Sequence, residues 1–536
     1  MIPSDPKPAS DSLHAPEDQG AETVALLDAA SSAPHFVRGM GLFSATAIVM
    51  GSMIGSGIFI VSADMSRTVG SPALLIAAWL LTAAMTITGA LSYGELAAMM
   101  PKAGGQYVYL REALGPLWGF LYGWTLFLVI QTGTIAAVGV AFGKFLGVFF
   151  PSVSADHWLW HIGHVPALPI GPMVLGNMEI GLNTANLAAI LIITLLTLLN
   201  TFGVKLGSSV QNVFTSAKVL ALLAVVAVGF VAKNTAAIAA NFGPNWHNFF
   251  AGSGWHTLHA VEVGVGGPTA WVGLLNVVAV VQVGSLFSSD AWNNVTFTAG
   301  EIENPRRNLP LSLAIGTGVV LLLYVACNFV YLSVLPIAGS PGAHTALGRG
   351  IAHAAQDRVA TAVMEVAFGS VGAKLMAAAI LVSTFGCVNG MLLAGARVYY
   401  AMSQDGLFFK SVGKLSPNGV PVNSLWVQWA WTCLLCLSGS YGQLLDYVIF
   451  AVLVFYILTI FGLFVLRRTR PDAPRPYRAF GYPALPALYI ASAAWICVVL
   501  LRYKPQYTWP GLVIVLLGIP VYLVWTRSGS MSSAIR

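Results

Sequence analysis

A run of small residues interrupts what would otherwise be one long membrane-spanning helix. Residues 42–66 are predominantly apolar and numerous enough to cross a bilayer, but residues 51–57 at their centre read GSMIGSG. Glycine is a poor helix former and permits unusual backbone angles, so the sequence predicts that the helix unwinds there. Freed backbone groups cost several kcal/mol each in lipid, so we expect the break to line a cavity or to be buried in protein.

The composition places most of the chain in a membrane. Of the 536 residues, 57% are hydrophobic and only 9% are charged, whereas soluble domains are about one-quarter charged. The mean hydropathy is +0.77, and the length allows about a dozen spans of roughly 20 residues each. We predict twelve spans, numbered in chain order, beginning near Leu42, Pro72, Pro116, Thr184, Ser208, Val272, Pro310, Val371, Val422, Leu444, Ala484 and Tyr507.

The distribution of basic residues predicts the orientation. With twelve spans both termini lie on one side of the bilayer, and that side carries most of the Lys and Arg, including the arginines of residues 467–478. The positive-inside rule then predicts a multi-pass protein of the cell (inner) membrane with cytoplasmic N and C termini. The net charge of +6 follows from this orientation and predicts no nucleic-acid partner.

The remaining composition argues against catalysis and bound cofactors. Residues 1–38 contain no long apolar run, which predicts a disordered cytoplasmic tail and not a signal peptide. Most histidines are scattered over predicted outer loops, and all five cysteines fall within predicted spans. We therefore predict no metal site, no cofactor and no structural disulfide. No His/Asp/Glu cluster within the spans suggests an enzyme.

A second break is predicted in span 6. Within residues 271–300, the segment 284–294 reads GSLFSSDAWNN, which is polar sequence at membrane depth. Glycine- and serine-rich contacts between helices are the alternative, but a contact face needs no aspartate such as Asp290. Corresponding breaks in two halves of a transporter point to a binding site near the bilayer midplane.

The spacing of the two breaks predicts the organisation of the chain. Spans 1 and 6 are five apart, which indicates two five-span repeats, and an odd number of spans inverts the second repeat across the membrane. We predict an all-α polytopic membrane protein. Its parts are the tail 1–38, spans 1–5 in 39–232, an outer loop 233–270, spans 6–10 in 271–468, and 469–536 with a basic loop, spans 11 and 12 and the C-terminus.

Several motifs, in order along the chain, resemble those of a known transporter family. They occupy residues 51–59 (GSMIGSGIF), 93–97 (YGELA), 101–109 (PKAGGQYVY), 300–310 (GEIENPRRNLP), 385–390 (FGCVNG), 396–400 (ARVYY) and the basic, proline-rich residues 466–478. Over residues 39–525 the chain resembles the amino acid–polyamine–organocation (APC) superfamily and, within it, the L-type amino acid transporter family. The resemblance implies a leucine-transporter-like fold with broken helices 1 and 6, and transport of amino acids by alternating access.

The resemblance also implies where the substrate binds. In this family the substrate carboxylate rests on backbone N–H groups at the first break, at the positive end of the outer half-helix. The ammonium group meets carbonyls at the ends of the half-helices, and an aromatic side chain closes the site from outside. In this sequence the N–H groups are those of Gly55, Ser56 and Gly57, the carbonyls those of Met53, Phe287 and Asp290, and the aromatic gate is Phe287; the full predicted site is Met53, Ile54, Gly55, Ser56, Gly57, Phe287, Ser288 and Asp290.

Two ionisable residues at membrane depth need an explanation. By the family pattern, Lys218 of span 5 lies between spans 1 and 8, where sodium-coupled relatives of the fold hold a sodium ion. Its ammonium would replace that ion and make it the coupling residue; the alternative is a lysine that snorkels to the surface. Asp290 resembles the aspartate of the branch that carries cationic amino acids, and a cap on freed N–H groups is the alternative.

These features predict a sodium-independent exchanger of neutral and/or cationic amino acids. A proton-coupled symporter, in which Lys218 or Asp290 takes up the proton, is the nearest alternative. A channel or membrane sensor is more distant, because a channel needs a polar stripe or rings of charge. Eukaryotic family members bond to a glycoprotein through a cysteine between spans 3 and 4, but residues 151–183 contain none. The sequence therefore predicts a prokaryotic transporter without a disulfide-linked ancillary subunit, whose partners are an amino acid and the lipid bilayer.

Overall fold

The structure is a computed structural model. It describes residue 36 and residues 38–166, 168–170, 173–175, 178–251, 270–437 and 441–527. The predicted tail therefore falls almost wholly outside the described residues, as do residues 252–269 of the predicted outer loop, with His256 and His259.

The described part is mostly helical. The helices are α1 (Leu42–Met53), α2 (Gly57–Val69), α3 (Pro72–Met99), α4 (Gln106–Leu114), α5 (Pro116–Thr125), α6 (Gln131–Leu146), α7 (Thr184–Thr201), α8 (Val204–Val231), α9 (Thr235–Asn241), α10 (His247–Phe250), α11 (Ala270–Ser288), α12 (Asn294–Phe297), α13 (Pro305–Val334), α14 (Ala346–Arg349), α15 (Val359–Gln404), α16 (Val422–Cys436), α17 (Tyr441–Thr469), α18 (Ala484–Tyr503) and α19 (Pro505–Arg527). A π-helical segment, Leu126–Ile130, joins α5 to α6. Short 3₁₀ turns lie at Pro244–Trp246, Ala299–Glu301, Ala355–Asp357 and Lys410–Gly413.

The length and apolar character of these helices make the chain a multi-pass membrane protein. Ten helical segments of the described part are long and apolar enough to cross a membrane; α1 and α2 together form one of them, and α5 to α6 another. The predicted spans 6 and 9 correspond to shorter helices, since the apolar part of α11 is Gly273–Ser288 and α16 has 15 residues.

Two predicted span boundaries are wrong by several residues. Span 7 begins at Pro305 and not at Pro310, because a proline fits the first turn of a helix, where its missing N–H costs nothing. Span 8 begins at Val359, and its helix is kinked by non-helical angles at Phe368 and Gly369. The predicted start at Val371 marks the end of this kink.

The predicted loop between spans 3 and 4 contains strands that the sequence analysis missed. Strands β1 (Trp158–Val165) and β4 (Met178–Asn183) pair antiparallel, and β2 (Leu168–Ile170) pairs antiparallel with β3 (Met173–Leu175). Strand β1 is exposed along almost its whole length. Its sequence therefore lacks the alternation of apolar and polar residues that predicts a half-buried strand.

The helices of spans 1–4 pack against those five spans later. Helix α2 contacts α11, α3 contacts α13, α6 contacts α15, and α7 contacts α16. Helix α1 is enclosed by α8, α13 and α15. The break between α1 and α2 therefore lies inside the protein, as expected for unwound backbone at membrane depth.

Candidate functional site

The first break is short and fully buried. Helix α1 ends at Met53 and α2 begins at Gly57, so residues 54–56 lie outside both helices. The N–H of Ile54 still donates to the Met50 carbonyl at 2.9 Å, and the N–H of Gly55 donates to the Met53 carbonyl at 2.8 Å. The break is thus a defined turn, and α2 begins with its N–H groups directed toward it.

Side chains from three other helices satisfy the carbonyls of residues 51–55. Helix α8 supplies Lys218, α13 supplies Tyr324, and α15 supplies Ser383 and Cys387. Buried carbonyls without partners are costly, so these donors stabilise the unwound backbone. The bonds run from Lys218 Nζ to Gly51 (2.7 Å) and Ile54 (2.9 Å), from Cys387 Sγ to Ser52 (3.1 Å), from Tyr324 OH to Met53 (2.9 Å), and from Ser383 Oγ to Ile54 (3.1 Å) and Gly55 (3.3 Å).

Lys218 lies between spans 1 and 8. Its side chain is only 1% exposed, so it does not snorkel to the surface. A Cβ atom built on Gly386 of α15 would lie 3.4 Å from Lys218 Nζ. The ammonium therefore occupies a protein-enclosed position at the negative end of the α1 dipole, where a cation is favoured.

The second break follows α11. That helix ends at Ser288, and regular α-helix resumes at Asn294. Between them Ala291 adopts φ = 63°, in the left-handed region that non-glycine residues seldom occupy. Strained backbone of this kind is concentrated at functional sites.

The two breaks touch each other through Gly57. A Cβ atom added to Gly57 would overlap the Ser288 hydroxyl and lie 2.9 Å from the Ser288 Cα atom. At Gly55 an added Cβ would lie 3.1 Å from Cys387 Sγ. Only glycine allows such close approach, so the structure brings Gly57 of span 1 against Ser288 of span 6, whereas Gly55 faces Cys387 of span 8.

Asp290 is held by a tyrosine that the sequence analysis did not single out. The carboxylate is 7% exposed, and its Oδ1 atom accepts a hydrogen bond from Tyr456 OH of α17 at 2.6 Å. Among the residues that the structure describes, neither Asp290 nor Lys218 forms an ion pair within 4.0 Å.

Asp290 lines two adjoining cavities. The first lies between spans 3, 6, 8 and 10, and the second reaches spans 2 and 11. Each has room for about one water molecule, so neither holds an amino acid in this conformation. Gly55, Ser56, Gly57 and Phe287 do not line them. Polar lining residues are Gln106, Tyr122, Gln131, Thr134, Asn293, Asn294 and Tyr456 in the first cavity, and Thr86, Ser289, Tyr456 and Tyr489 in the second.

The π-helical segment explains one of the missed cavity residues. Gln131 directly follows Leu126–Ile130, and its Nε2 atom donates to the Met391 carbonyl at 2.7 Å. Such segments are often found at functional sites, because the extra residue per turn changes which side chains face inward. Neither hydropathy nor residue type reveals such a segment, so the sequence offered no signal for it.

A hydrogen-bonded chain extends from the second break. Asn293 Nδ2 donates to Gln106 Oε1 at 2.8 Å, and Gln106 Nε2 donates to Thr459 Oγ1 at 3.1 Å. Gln106 belongs to the motif 101–109, whereas Thr459 lies on α17. These two hydrogen bonds therefore connect that motif to spans 6 and 10.

Ion pairs join the helix ends on the side with most basic residues. Arg397 and Glu301, from the motifs 396–400 and 300–310, lie 2.9 Å apart and are 2% and 1% exposed. Glu95, which is fully buried, contacts Arg467 at 2.6 Å and Arg475 at 3.2 Å. These pairs connect the end of span 6 to span 8 and span 2 to the end of span 10.

A more exposed cluster of one glutamate and two arginines lies nearby. Glu112 contacts Arg111 at 2.9 Å and Arg470 at 3.0 Å. Burial raises the pKa of Glu112, but its hydrogen bonds to both arginines and their charges outweigh burial and leave that pKa below its ordinary value.

In the described part of the chain, no group of three or more His, Cys, Asp or Glu side chains could hold a metal ion.

Comparison with known proteins identifies the family. The sequence model of a family described as amino acid permease matches residues 40–525. The chain belongs to the amino acid permease family. It is a member of the APC superfamily and of its L-type family, as the motifs predicted.

The relatives of this permease cover most of its length. It is 26% identical over 494 residues to the serine/threonine exchanger SteT of Bacillus subtilis (strain 168), covering 90% of this chain and 95% of that protein. It is 28% identical over 515 residues to the large neutral amino acids transporter small subunit 2 of Rattus norvegicus, covering 95% and 84%. It is 27% identical over 443 residues to the b(0,+)-type amino acid transporter 1 of Rattus norvegicus, covering 82% and 78%.

Proposed function

We propose that this permease exchanges amino acids across the membrane by alternating access and without sodium. The observation that carries the proposal is the ammonium of Lys218, which donates to two carbonyls of the broken helix at 2.7 and 2.9 Å. A resident cation at this point removes the need for a metal ion to stabilise the break. The relative SteT is named an exchanger, which supports exchange as the transport mode.

We also propose the twelve-span, inverted-repeat architecture. The contacts between spans 1 and 6, 2 and 7, 3 and 8, and 4 and 9 are those that two interlocked repeats of five spans would make. In this proposal spans 1–5 and 6–10 are the repeats, and both termini are cytoplasmic in the cell (inner) membrane. Because residues 151–183 contain no cysteine, the permease works without a disulfide-linked ancillary subunit.

The proposed substrate position is the junction of the two breaks. A substrate carboxylate would sit at the N-terminus of α2, on the N–H groups of Gly55, Ser56 and Gly57, where the helix dipole favours an anion. The Met53 carbonyl already accepts from Tyr324 OH and the Gly55 N–H. A substrate ammonium would therefore displace one of these donors or bind the Phe287 carbonyl, which already accepts from the Asp290 N–H at 3.2 Å. Since the cavities are water-sized, binding also requires the helices to separate.

Asp290 supports cationic amino acids as substrates. A buried carboxylate is costly unless it is paired or protonated, and the described residues offer Asp290 a tyrosine hydroxyl but no cation within 4.0 Å. A guanidinium or ammonium group on the substrate would supply that partner. The same observation supports the second candidate, a proton-coupled symporter in which Asp290 holds the proton.

Uptake into proteoliposomes tests the transport mode. We expect uptake to persist when choline replaces sodium, because Lys218 supplies the positive charge. We expect faster uptake into vesicles preloaded with amino acid. An exchanger needs an internal amino acid bound in its site to return to the conformation that is open to the outside. Strict sodium dependence would refute the role of Lys218. If the uptake rate did not depend on internal amino acid but increased with an inward proton gradient, the symporter would be established instead.

Asp290→Asn tests the substrate class. We expect arginine, lysine or ornithine to compete for the wild-type site at least as well as neutral amino acids of similar size. The substitution should weaken the cationic substrates by about 1–3 kcal/mol, roughly 5- to 150-fold, because a charge-assisted hydrogen bond is lost. Binding of neutral amino acids should change little. Competition assays on purified protein measure both effects.

Tyr456→Phe is the matched control for Asp290→Asn. It removes the 2.6 Å hydrogen bond to the carboxylate but keeps the negative charge, so cationic selectivity should survive. Equal losses of cationic and neutral substrates in Asp290→Asn would show that the carboxylate only caps the unwound backbone.

A further inference from the structure

Unpaired arginines gather at one corner of the end that the proposed orientation places in the cytoplasm. Arg467 and Arg475 contact Glu95, and Arg470 contacts Glu112. By contrast, Arg306, Arg307 and Arg478 are exposed and form no ion pair within 4.0 Å with any residue of the described ranges. Three exposed guanidinium groups without acidic partners form a surface that favours an anion.

Packing around Gly94 brings these arginines to the same part of the molecule. A Cβ atom on Gly94 would lie 3.0 Å from Tyr477 Cε1 and 3.4 Å from Pro310 Cβ. Arg478 adjoins Tyr477, and Arg306 and Arg307 stand about one helical turn before Pro310 at the start of α13. The Ala479 N–H donates to Glu95 Oε2 at 2.7 Å, which fixes this segment against the end of span 2.

Two acidic residues nearby are directed elsewhere, and the exposed Asp472 forms no ion pair within 4.0 Å with any described residue. Glu95 is occupied by Arg467 and Arg475. The Glu303 Oε2 atom would lie 3.8 Å from a Cβ atom on Gly41, so it faces the segment that precedes α1. The positive end of the 30-residue helix α13 adds to the potential of the arginines.

An exposed aromatic side chain lies next to the arginines in the chain. Phe480, two residues after Arg478, is 72% exposed, and Leu488 on α18 is 62% exposed. Aromatic side chains are enriched at the membrane–water interface. Cationic groups beside exposed apolar groups at that level match the two parts of an anionic lipid, a phosphate headgroup and an acyl chain.

We propose that Arg306, Arg307 and Arg478 bind the phosphate headgroup of an anionic phospholipid from the cytoplasmic leaflet, with an acyl chain over Phe480. Guanidinium groups bind phosphate oxygens in pairs. A zwitterionic headgroup also carries a quaternary ammonium, which the arginines repel, so the site favours an anionic headgroup. The lipid bridges the start of span 7 and the loop after span 10. The proposal rests on the proposed orientation, but not on the substrate or the transport mode.

Lipid binding to the full chain in detergent tests this site. We expect native mass spectrometry to detect bound phosphatidylglycerol in preference to phosphatidylcholine, and phosphatidylglycerol to raise the Tm. In the triple variant Arg306→Gln/Arg307→Gln/Arg478→Gln, half-saturation should need roughly tenfold more phosphatidylglycerol, or more. The control Lys233→Gln/Lys374→Gln/Arg502→Gln removes equal charge from exposed residues at the opposite end and should bind like the wild type.

The same experiment contains the outcomes that overturn the proposal. Equal phosphatidylglycerol binding by the wild type and the Arg306 triple variant, or equal losses in both triple variants, would show that these arginines form no site. A Tm increase from inorganic phosphate as large as that from phosphatidylglycerol would show a soluble-anion site and contradict the lipid assignment. The assay contains no amino acid, so its failure is distinct from failure of the proposed transport function. Elution of both variants as the wild type does on size exclusion establishes that they fold.

Discussion

Replacing Lys218 by methionine is expected to abolish amino acid transport by a protein that still inserts into the membrane. The change leaves the Gly51 carbonyl without its side-chain donor and the Ile54 carbonyl with only Ser383. Two hydrogen bonds to a charged donor contribute about 3 kcal/mol or more together, a factor of roughly 100 or more in the population of the bound geometry. Uptake into proteoliposomes measures the loss.

Two companion variants show whether the loss comes from the break itself. Lys233→Met makes the same chemical change at an exposed position just after α8 and should transport normally. Ser383→Ala removes the second donor to the Ile54 carbonyl but keeps Lys218, so its loss should be smaller. Wild-type transport by folded Lys218→Met would contradict the proposal that the ammonium stabilises the break.

The position of each break could be predicted because it depends on local composition. Residues 51–57 and 284–294 carry glycine and serine within apolar stretches, and the second segment also carries an aspartate. No tertiary information is needed to see that helices of this composition are weak. What holds the breaks is not local. Tyr324 lies 271 residues after the carbonyl that it satisfies, and Cys387 lies 335 residues after its own. Only packing reveals such partners.

The environment of Asp290 illustrates the same limit. The sequence marks the aspartate, because a carboxylate at membrane depth is unusual. Its partner Tyr456 is one tyrosine within the apolar helix α17, and nothing in the surrounding sequence distinguishes it from a packing residue. Gln131 lines the cavity directly after a π-helical segment. The residue types of that segment do not predict a π-helix. The family resemblance predicted which backbone groups at the breaks bind substrate. The side chains that surround those groups could be identified only from the structure.

Of the substitutions proposed for this permease, those that break the buried pair of Glu301 and Arg397 are expected to lower the free energy of unfolding most. The two side chains are 1% and 2% exposed, and Arg397 also donates to the Leu393 carbonyl at 2.5 Å. Removing one partner leaves an uncompensated buried charge, so Arg397→Leu or Glu301→Leu should each cost about 3–5 kcal/mol. Thermal unfolding in detergent, followed with and without added lipid, measures the change in Tm.

The double variant Glu301→Leu/Arg397→Leu distinguishes the effect of the ion pair from the separate effects of its two residues. With both charges removed no unpaired ion remains, so the double variant should be more stable than either single variant. Arg470→Leu is the control, because its pair with Glu112 is 50% and 27% exposed and should contribute about 1 kcal/mol or less. Additive losses in the double variant would show that the two residues stabilise the protein independently. Recovery in the double variant would show that the two residues stabilise the protein as a pair, and this contact must break whenever spans 6 and 8 separate.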